Sequence, residues 1–246
     1  QTSRLTMRSA LKEIGQRYEV DLAEKLIDNL AERGNTASTA HFLALRDAFV
    51  KRRIRSGESV LFMISGSGQT LGTALYTCDD LPERTCAING ASRAKRDVAN
   101  AAAWGATLPV PMQLESVGVS LPDPGQRPDT LQMLQEAAKD CLHGSEFGKT
   151  EIELLVSVGV YRTEFLTEPA IAALLASELD LSTGDEASHE EVPLAIDLLN
   201  GSIGFINACY LVSELARAGD VERAMVVASE VENNTDVAPA ELLGVR

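Results

Sequence analysis

The sequence predicts an α/β protein, on three observations. The second half alternates short apolar runs with amphipathic stretches of helical period, the pattern of βαβ units and a largely parallel sheet. The first half carries a glycine-rich strand–turn–strand, preceded by helices whose apolar residues recur every three to four positions. The 246 residues are 45% hydrophobic, enough to bury a core in one large domain or two modest ones.

The first portion reads helix, helix, helix, strand, strand. Met7, Leu11 and Ile14 share a face of one helix, and Leu22, Leu26, Ile27 and Leu30 a face of the next. Asp21 and Glu24 have capping-box spacing at the start of the second helix, and Gly34 stops it. A third helix carries Phe42, Leu45 and Phe49. It ends in Lys51, Arg52, Arg53 and Arg55, cations that complement a helix C-terminal dipole. Gly57 turns the chain into a strand over 59–64, and a second strand follows over 73–78. Residues 79–112 read as a connector with Asp79, Asp80 and Pro82, a basic cluster at Arg93, Lys95 and Arg96, and an Ala-rich helical piece ending near Trp104.

Beyond it, strands are expected over 114–119, 152–158, 193–199 and 223–229, with helices near 129–142, 168–179 and 203–218. Pro169 suits the first turn of its helix, and Gly219 ends the last. The polar, acidic stretch 181–191 reads as an exposed loop, with His189 a solvated residue rather than a ligand.

Composition removes several function classes. Lys and Arg number 22 against 36 Asp and Glu, a formal charge of −14, which argues against general binding to nucleic acid or anionic membrane. No apolar run approaches the roughly 20 residues of a membrane-spanning helix, and no signal peptide opens the chain. Cys78, Cys86, Cys141 and Cys209 lie far apart, and only His41, His143 and His189 could join them, so no metal site is expected. Free thiols on apolar positions fit a reducing, cytoplasmic compartment. Gln1 is no natural translation start, and Arg246 stops inside what reads as an unfinished element.

Three segments carry candidate chemistry. Gly66-Ser67-Gly68-Gln69-Thr70-Leu71-Gly72 follows a strand but leads into another strand. It therefore lacks the helix of a dinucleotide fingerprint, although its glycines let backbone N–H groups approach a ligand. Asn200-Gly201-Ser202-Ile203-Gly204-Phe205 joins a buried strand to an apolar helix. Ser202 falls there at the carboxyl end of a parallel strand, where ligands collect and a helix dipole favours an oxyanion; an ordinary serine N-cap is the competing reading. Asn200 replaces the first glycine of a hydrolase elbow, so that motif is not matched. Gly34-Asn35-Thr36-Ala37-Ser38-Thr39 reads locally as a C′ glycine followed by an Asn N-cap.

Taken together, these segments resemble the thiolase-fold condensing enzymes of the β-ketoacyl-acyl carrier protein synthase III group. Residues 195–209 resemble the family segment ending Cys-x-Gly-Phe, with Ser202 at the position of the nucleophilic cysteine. Residues 224–230 resemble the strand that follows. Gly34-Asn35-Thr36-Ala37-Ser38 resembles the Gly-Asn-Thr-Ser motif, and residues 55–73 resemble the C-terminal glycine-rich hairpin. The order of the parts is reversed, and Gln1-Thr2-Ser3-Arg4 resembles the residues just after the family's catalytic histidine.

The resemblance implies a layered α-β-α-β-α architecture, incomplete or permuted. It implies a C-terminal-type portion over 1–78, a connector over 79–112 and an N-terminal-type portion over 113–246. A fragment of a longer tandem protein is preferred to a permuted domain, in which case Asn35 and Ser202 serve different sites. The implied activity is acyl transfer or condensation of fatty-acid or polyketide type. Ser202 and Asn35 are the catalytic residues, and the backbone of Ser202 and of Ser67 or Gly68 holds the oxyanion. No cofactor is implied: acyl-CoA or the phosphopantetheine arm of an acyl carrier protein enters as substrate, and the chain pairs with itself or with another synthase-like unit. The alternative is a non-catalytic scaffold or dimer partner of an intact ketosynthase.

Overall fold

The chain is described by a computed structural model covering residues 4–22, 24–66, 70–87, 112–123, 129–181, 193–231 and 233. Helix α1 (Arg4–Tyr18) opens it and is followed by a single short turn of helix, α2 (Leu30–Arg33). The sequence pattern predicts a longer second helix starting at Asp21. Instead Asp28 Oδ1 accepts the Leu30 N–H at 2.8 Å and starts the helix only there, a side chain competing with the ladder for a backbone donor. A 3-10 turn (Ala37–Thr39) leads into α3 (Ala40–Val50).

Strands β1 (Ser59–Gly66) and β2 (Thr70–Thr77) form an antiparallel hairpin in which Ser59 faces Thr77 and Ile64 faces Gly72. Strand alternation splits its side chains between two faces. Val60, Phe62 and Tyr76 pack on Leu45, Ala48 and Phe49 of α3, with Ile54, Cys78 and Leu81 completing that core. Leu61, Met63, Leu71 and Leu75 are exposed on the other face. Helix α4 (Leu81–Ala87) starts inside the expected connector. Arg93, Lys95, Arg96 and Trp104 lie outside the described residues.

The strand expected over 114–119 is not formed: residues 112–123 are irregular. They lie along α5 (Thr130–His143) and spend their polar groups on it, Val119 N–H on Asp140 Oδ2 at 2.9 Å and Ser116 Oγ–H on the Cys141 carbonyl at 2.8 Å. Asp129 caps α5 by accepting the Leu131 N–H at 2.8 Å.

Strand β3 (Leu154–Ser157), helix α6 (Ile171–Glu178), strand β4 (Leu194–Asp197), helix α7 (Gly204–Ala218) and strand β5 (Ala224–Val227) complete the alternation. The three strands form a parallel sheet in the order β4-β3-β5, as the alternation predicts. Central β3 is buried throughout. Leu155 packs with α5 and α6, while Leu154 and Val156 face α7 through Ala208 and Val212. The result is a helix–sheet–helix sandwich whose short strands are mostly apolar, with Ser157 and Asp197 at the ends of β3 and β4.

Two local expectations need correction. Pro169 precedes α6 rather than lying in its first turn, because the Asp197 carboxylate takes the Ile171 and Ala172 N–H groups and starts the helix at Ile171. Leu181, expected in an exposed loop, is 6% exposed and belongs to the core. The rest of that loop, including His189, lies outside the described residues. Gly219 ends α7 at a left-handed φ of 84°, as expected. Among the described residues no helix is long and apolar enough to cross a membrane.

Candidate active site

Between β4 and α7 the chain makes one tight 3-10 turn, Gly201–Ile203. Gly201 has φ of 52°, a left-handed value that glycine adopts without a steric cost. Ser202 sits inside this turn, half-buried. The serine N-cap reading is therefore corrected: the capping positions are Asn200 for the turn and Ile203 for α7, and neither makes a side-chain cap bond. The start of α7 keeps its dipole without a capping side chain. Gly204 brings that start close to the sheet, since a Cβ there would lie 2.9 Å from Val158 Cβ.

The first portion closes over this turn. The Ala37–Thr39 turn and both hairpin strands pack against Gly201–Ile203, and β2 also packs against α7. Ring centroids of His41 and Phe42 each lie 4.8 Å from that of Phe205, one turn of helix beyond Ser202, and Phe62 lies 5.8 Å away. Asn35 is exposed, and its Oδ1 accepts the Ala37 N–H at 3.1 Å, which bends the chain into the Ala37–Thr39 turn. The Asn35 turn and the Ser202 turn thus meet at one junction within one chain. Ser67 and Gly68, the other expected oxyanion donors, lie outside the described residues.

Two residues at the junction escape the sequence reading. Glu230, just beyond β5, accepts hydrogen bonds from Ser38 Oγ–H and from the Val160 and Tyr161 N–H groups. His41 lies among aromatic rings. Burial pushes its imidazole down to about 4, and its Nε2 has no hydrogen-bond partner among the described residues. A polar residue at a strand's carboxyl end was the available signal for Glu230; nothing local marks His41. Cys209, on α7, is a neutral thiol pushed up to about 11 by burial, in keeping with a packing role. In the basic run, Lys51 pairs with Glu32 at 2.7 Å and an Arg53 N–H donates to the Leu26 carbonyl at 2.8 Å, which accounts for both cations structurally.

Residues 4–78, which hold the Asn35 turn and the hairpin, match the family described as 3-oxoacyl-[acyl-carrier-protein (ACP)] synthase III C terminal. Over these residues the chain is similar to that family. Solved structures similar to the chain include 3-oxoacyl-[acyl-carrier-protein] synthase III from Aquifex aeolicus, at 20% identity over 43% of this chain and 30% of that one, with a TM-score of 0.35. Two variants of OleA from Xanthomonas campestris are similar at 22% and 21% identity, over 48% and 49% of this chain and 35% and 37% of theirs, each with a TM-score of 0.38. The chain therefore spans about a third of the length of these proteins. No curated protein matches it. The synthase III-like portion contributes Asn35 and the hairpin to the junction, and the β4–α7 turn contributes Ser202.

Proposed function

We propose that the chain transfers acyl groups from a thioester, acyl-CoA or acyl carrier protein, in fatty-acid or polyketide-type metabolism, with Ser202 as the acceptor nucleophile. The observation that carries this reading is the seating of the Ser202 turn between the Ala37–Thr39 turn and the hairpin of the synthase III-like portion. Ser202 Oγ attacks the thioester carbonyl, its proton passes to a base, and the thiolate leaves, so that the acyl group ends as an ester on the enzyme. The Ser202 N–H and one from Ser67 or Gly68 stabilise the tetrahedral oxyanion. Asn35 orients the substrate carbonyl or assists a histidine supplied from outside these 246 residues. A hydroxyl needs such a base far more than a thiol does.

In this reading 1–78 is a C-terminal-type portion, 79–112 a connector and 113–246 an N-terminal-type portion of synthase III-like units. The protein works in the cytoplasm, paired with itself or with another synthase-like chain. Incubation with acyl-CoA followed by intact-protein mass spectrometry tests the proposal. One acyl adduct, lost in Ser202→Ala, supports it; no adduct, or one that survives the substitution, overturns it.

A second reading, a non-catalytic scaffold for an intact ketosynthase, is favoured by one observation. Among the described residues no imidazole or carboxylate is hydrogen-bonded to Ser202. Under it, Ser202→Ala leaves product formation in an assembled complex unchanged.

A further inference from the structure

Glu230 is half-buried where the synthase III-like portion meets the rest of the chain. Its Oε1 accepts from the Ser38 hydroxyl, from the Ser38 N–H at 3.3 Å and from the Val160 N–H at 3.2 Å. Its Oε2 accepts from the Tyr161 N–H at 2.7 Å and the Val160 N–H at 3.3 Å. One carboxylate thus gathers four donors from two segments that are 192 and about 70 residues away in sequence. Ser38 is fully buried and lies in the turn that follows Asn35; Val160 and Tyr161 belong to the loop leaving β3, whose end also supports Gly204 through Val158.

Only a carboxylate of this length meets all four donors. An ionised carboxylate is acceptor-only, with about four lone-pair sites, and its charge-assisted bonds are about twice as strong as neutral ones. Glutamine would turn an NH2 group toward N–H or O–H donors, and aspartate is one methylene short.

We propose that Glu230 is a positioning residue: its carboxylate sets the Asn35-bearing turn in register with the Ser202-bearing turn, so that one chain assembles one acyl site from both of its portions. The acyl chemistry rests on the function proposed above, whereas the register is measurable without it. It also opposes the expectation that Asn35 and Ser202 serve different sites.

The test uses the full chain carrying Asn35→Cys and Ser202→Cys, treated with a short flexible bismaleimide and mapped by peptide mass spectrometry. The expected result is an intramolecular link between positions 35 and 202 whose yield falls about tenfold in Glu230→Gln and partly recovers in Glu230→Asp, the variant that keeps the charge. An unchanged yield in folded Glu230→Gln, or a link that forms only between two chains, overturns the proposal. Where Glu230→Gln does not fold, Ser38→Ala removes one donor alone; an intermediate loss of yield supports the proposal and no loss overturns it.

Acylation of the unsubstituted chain is measured beside this. A yield that falls as expected, with no acylation of Ser202, defeats acyl transfer and leaves the positioning role standing. Acylation that proceeds with an unchanged yield does the reverse. Where both hold, Glu230→Gln lowers kcat per folded molecule about tenfold and leaves KM for acyl-CoA unchanged; counting the folded fraction by circular dichroism separates this from a general loss of structure, which lowers only the number of active molecules.

Discussion

Arg162 donates a guanidinium N–H to Asp197 Oδ2 at 2.6 Å, and the same carboxylate receives the Ile171 and Ala172 N–H groups, each at 2.9 Å. Asp197 therefore pairs a charge and caps α6 while ending the strand that leads to Ser202. The Arg162 side chain is 3% exposed and that of Asp197 12%. Asp197→Ala leaves a buried guanidinium without its counter-charge and an uncapped helix, and is expected to cost about 3–5 kcal/mol. Urea unfolding measures it. A loss below about 1 kcal/mol would show that the pair is not closed in solution.

Gly204 makes a second prediction. The start of α7 lies so close to the end of β3 that an alanine methyl would fall 2.9 Å from Val158 Cβ and 3.2 Å from the Val158 carbonyl oxygen. Val158 is fully buried and has nowhere to move, so Gly204→Ala is expected to cost about 1–3 kcal/mol despite alanine's better helix propensity. Pairing it with Val158→Ala makes room, and the double variant is expected to lose less than the sum of the two single losses. Strict additivity would refute the contact.

What the sequence discloses divides along range. The parallel alternation is legible because β3 opens on the apolar run Leu154-Leu155-Val156 and α7 repeats its apolar face, both local patterns. Ser202 is legible because a strand, a left-handed glycine and a helix follow one another within a few residues. Residues 112–123 alternate like a strand, yet they lie on α5 because Asp140 and Cys141 take their donors, and those partners are 21 and 25 residues away. Leu181 reads as loop because the core it joins includes Leu134 and Met225, both far away in sequence. Glu230 shows locally only as a polar residue at a strand's carboxyl end and His41 not at all, because the significance of both arises only when distant parts of the chain meet.

The loop carrying Asn35 is braced from both sides by one ion pair. Arg33 Nε–H donates to Asp47 Oδ2 at 2.7 Å and a terminal N–H to Oδ1 at 2.8 Å, a two-pronged bridge from α2 to α3 across Gly34 and Asn35. Each partner favours the charged form of the other, so the Asp47 carboxyl is held below its ordinary value and the Arg33 guanidinium above its own, chiefly through these hydrogen bonds. Arg33→Lys cannot reproduce the fork, and a double-mutant cycle with Asp47→Asn is expected to give a coupling of about 1 kcal/mol at neutral pH. Because the Asp47 value is depressed in the native state, the coupling is present above about pH 4 and fades as pH falls below it. A coupling independent of pH over that range would place its origin in packing.

His41 makes the clearest pH prediction. Its ring packs on Phe42 at 4.6 Å and Phe205 at 4.8 Å, with Phe62 edge-on at 6.4 Å, and this apolar burial lowers its pKa to about 4 from an ordinary value near 6.5. Above about pH 6.5 the imidazole is neutral in both folded and unfolded chains, and the native state keeps its full stability. Between about 6.5 and 4 the unfolded chain binds a proton that the native state refuses, so stability falls; below about 4 both forms are charged and the loss levels at ~3 kcal/mol. Carboxylates titrate over part of the same window, so the informative quantity is the difference between the parent and His41→Phe, which fills the aromatic nest without a titratable group. The drop in unfolding free energy from about pH 7.5 to about pH 4.5 is expected to be ~2–3 kcal/mol smaller in His41→Phe than in the parent. Equal drops in the two proteins would mean that His41 reaches solvent, and that the seal between the synthase III-like portion and α7 is open where Phe205 meets it.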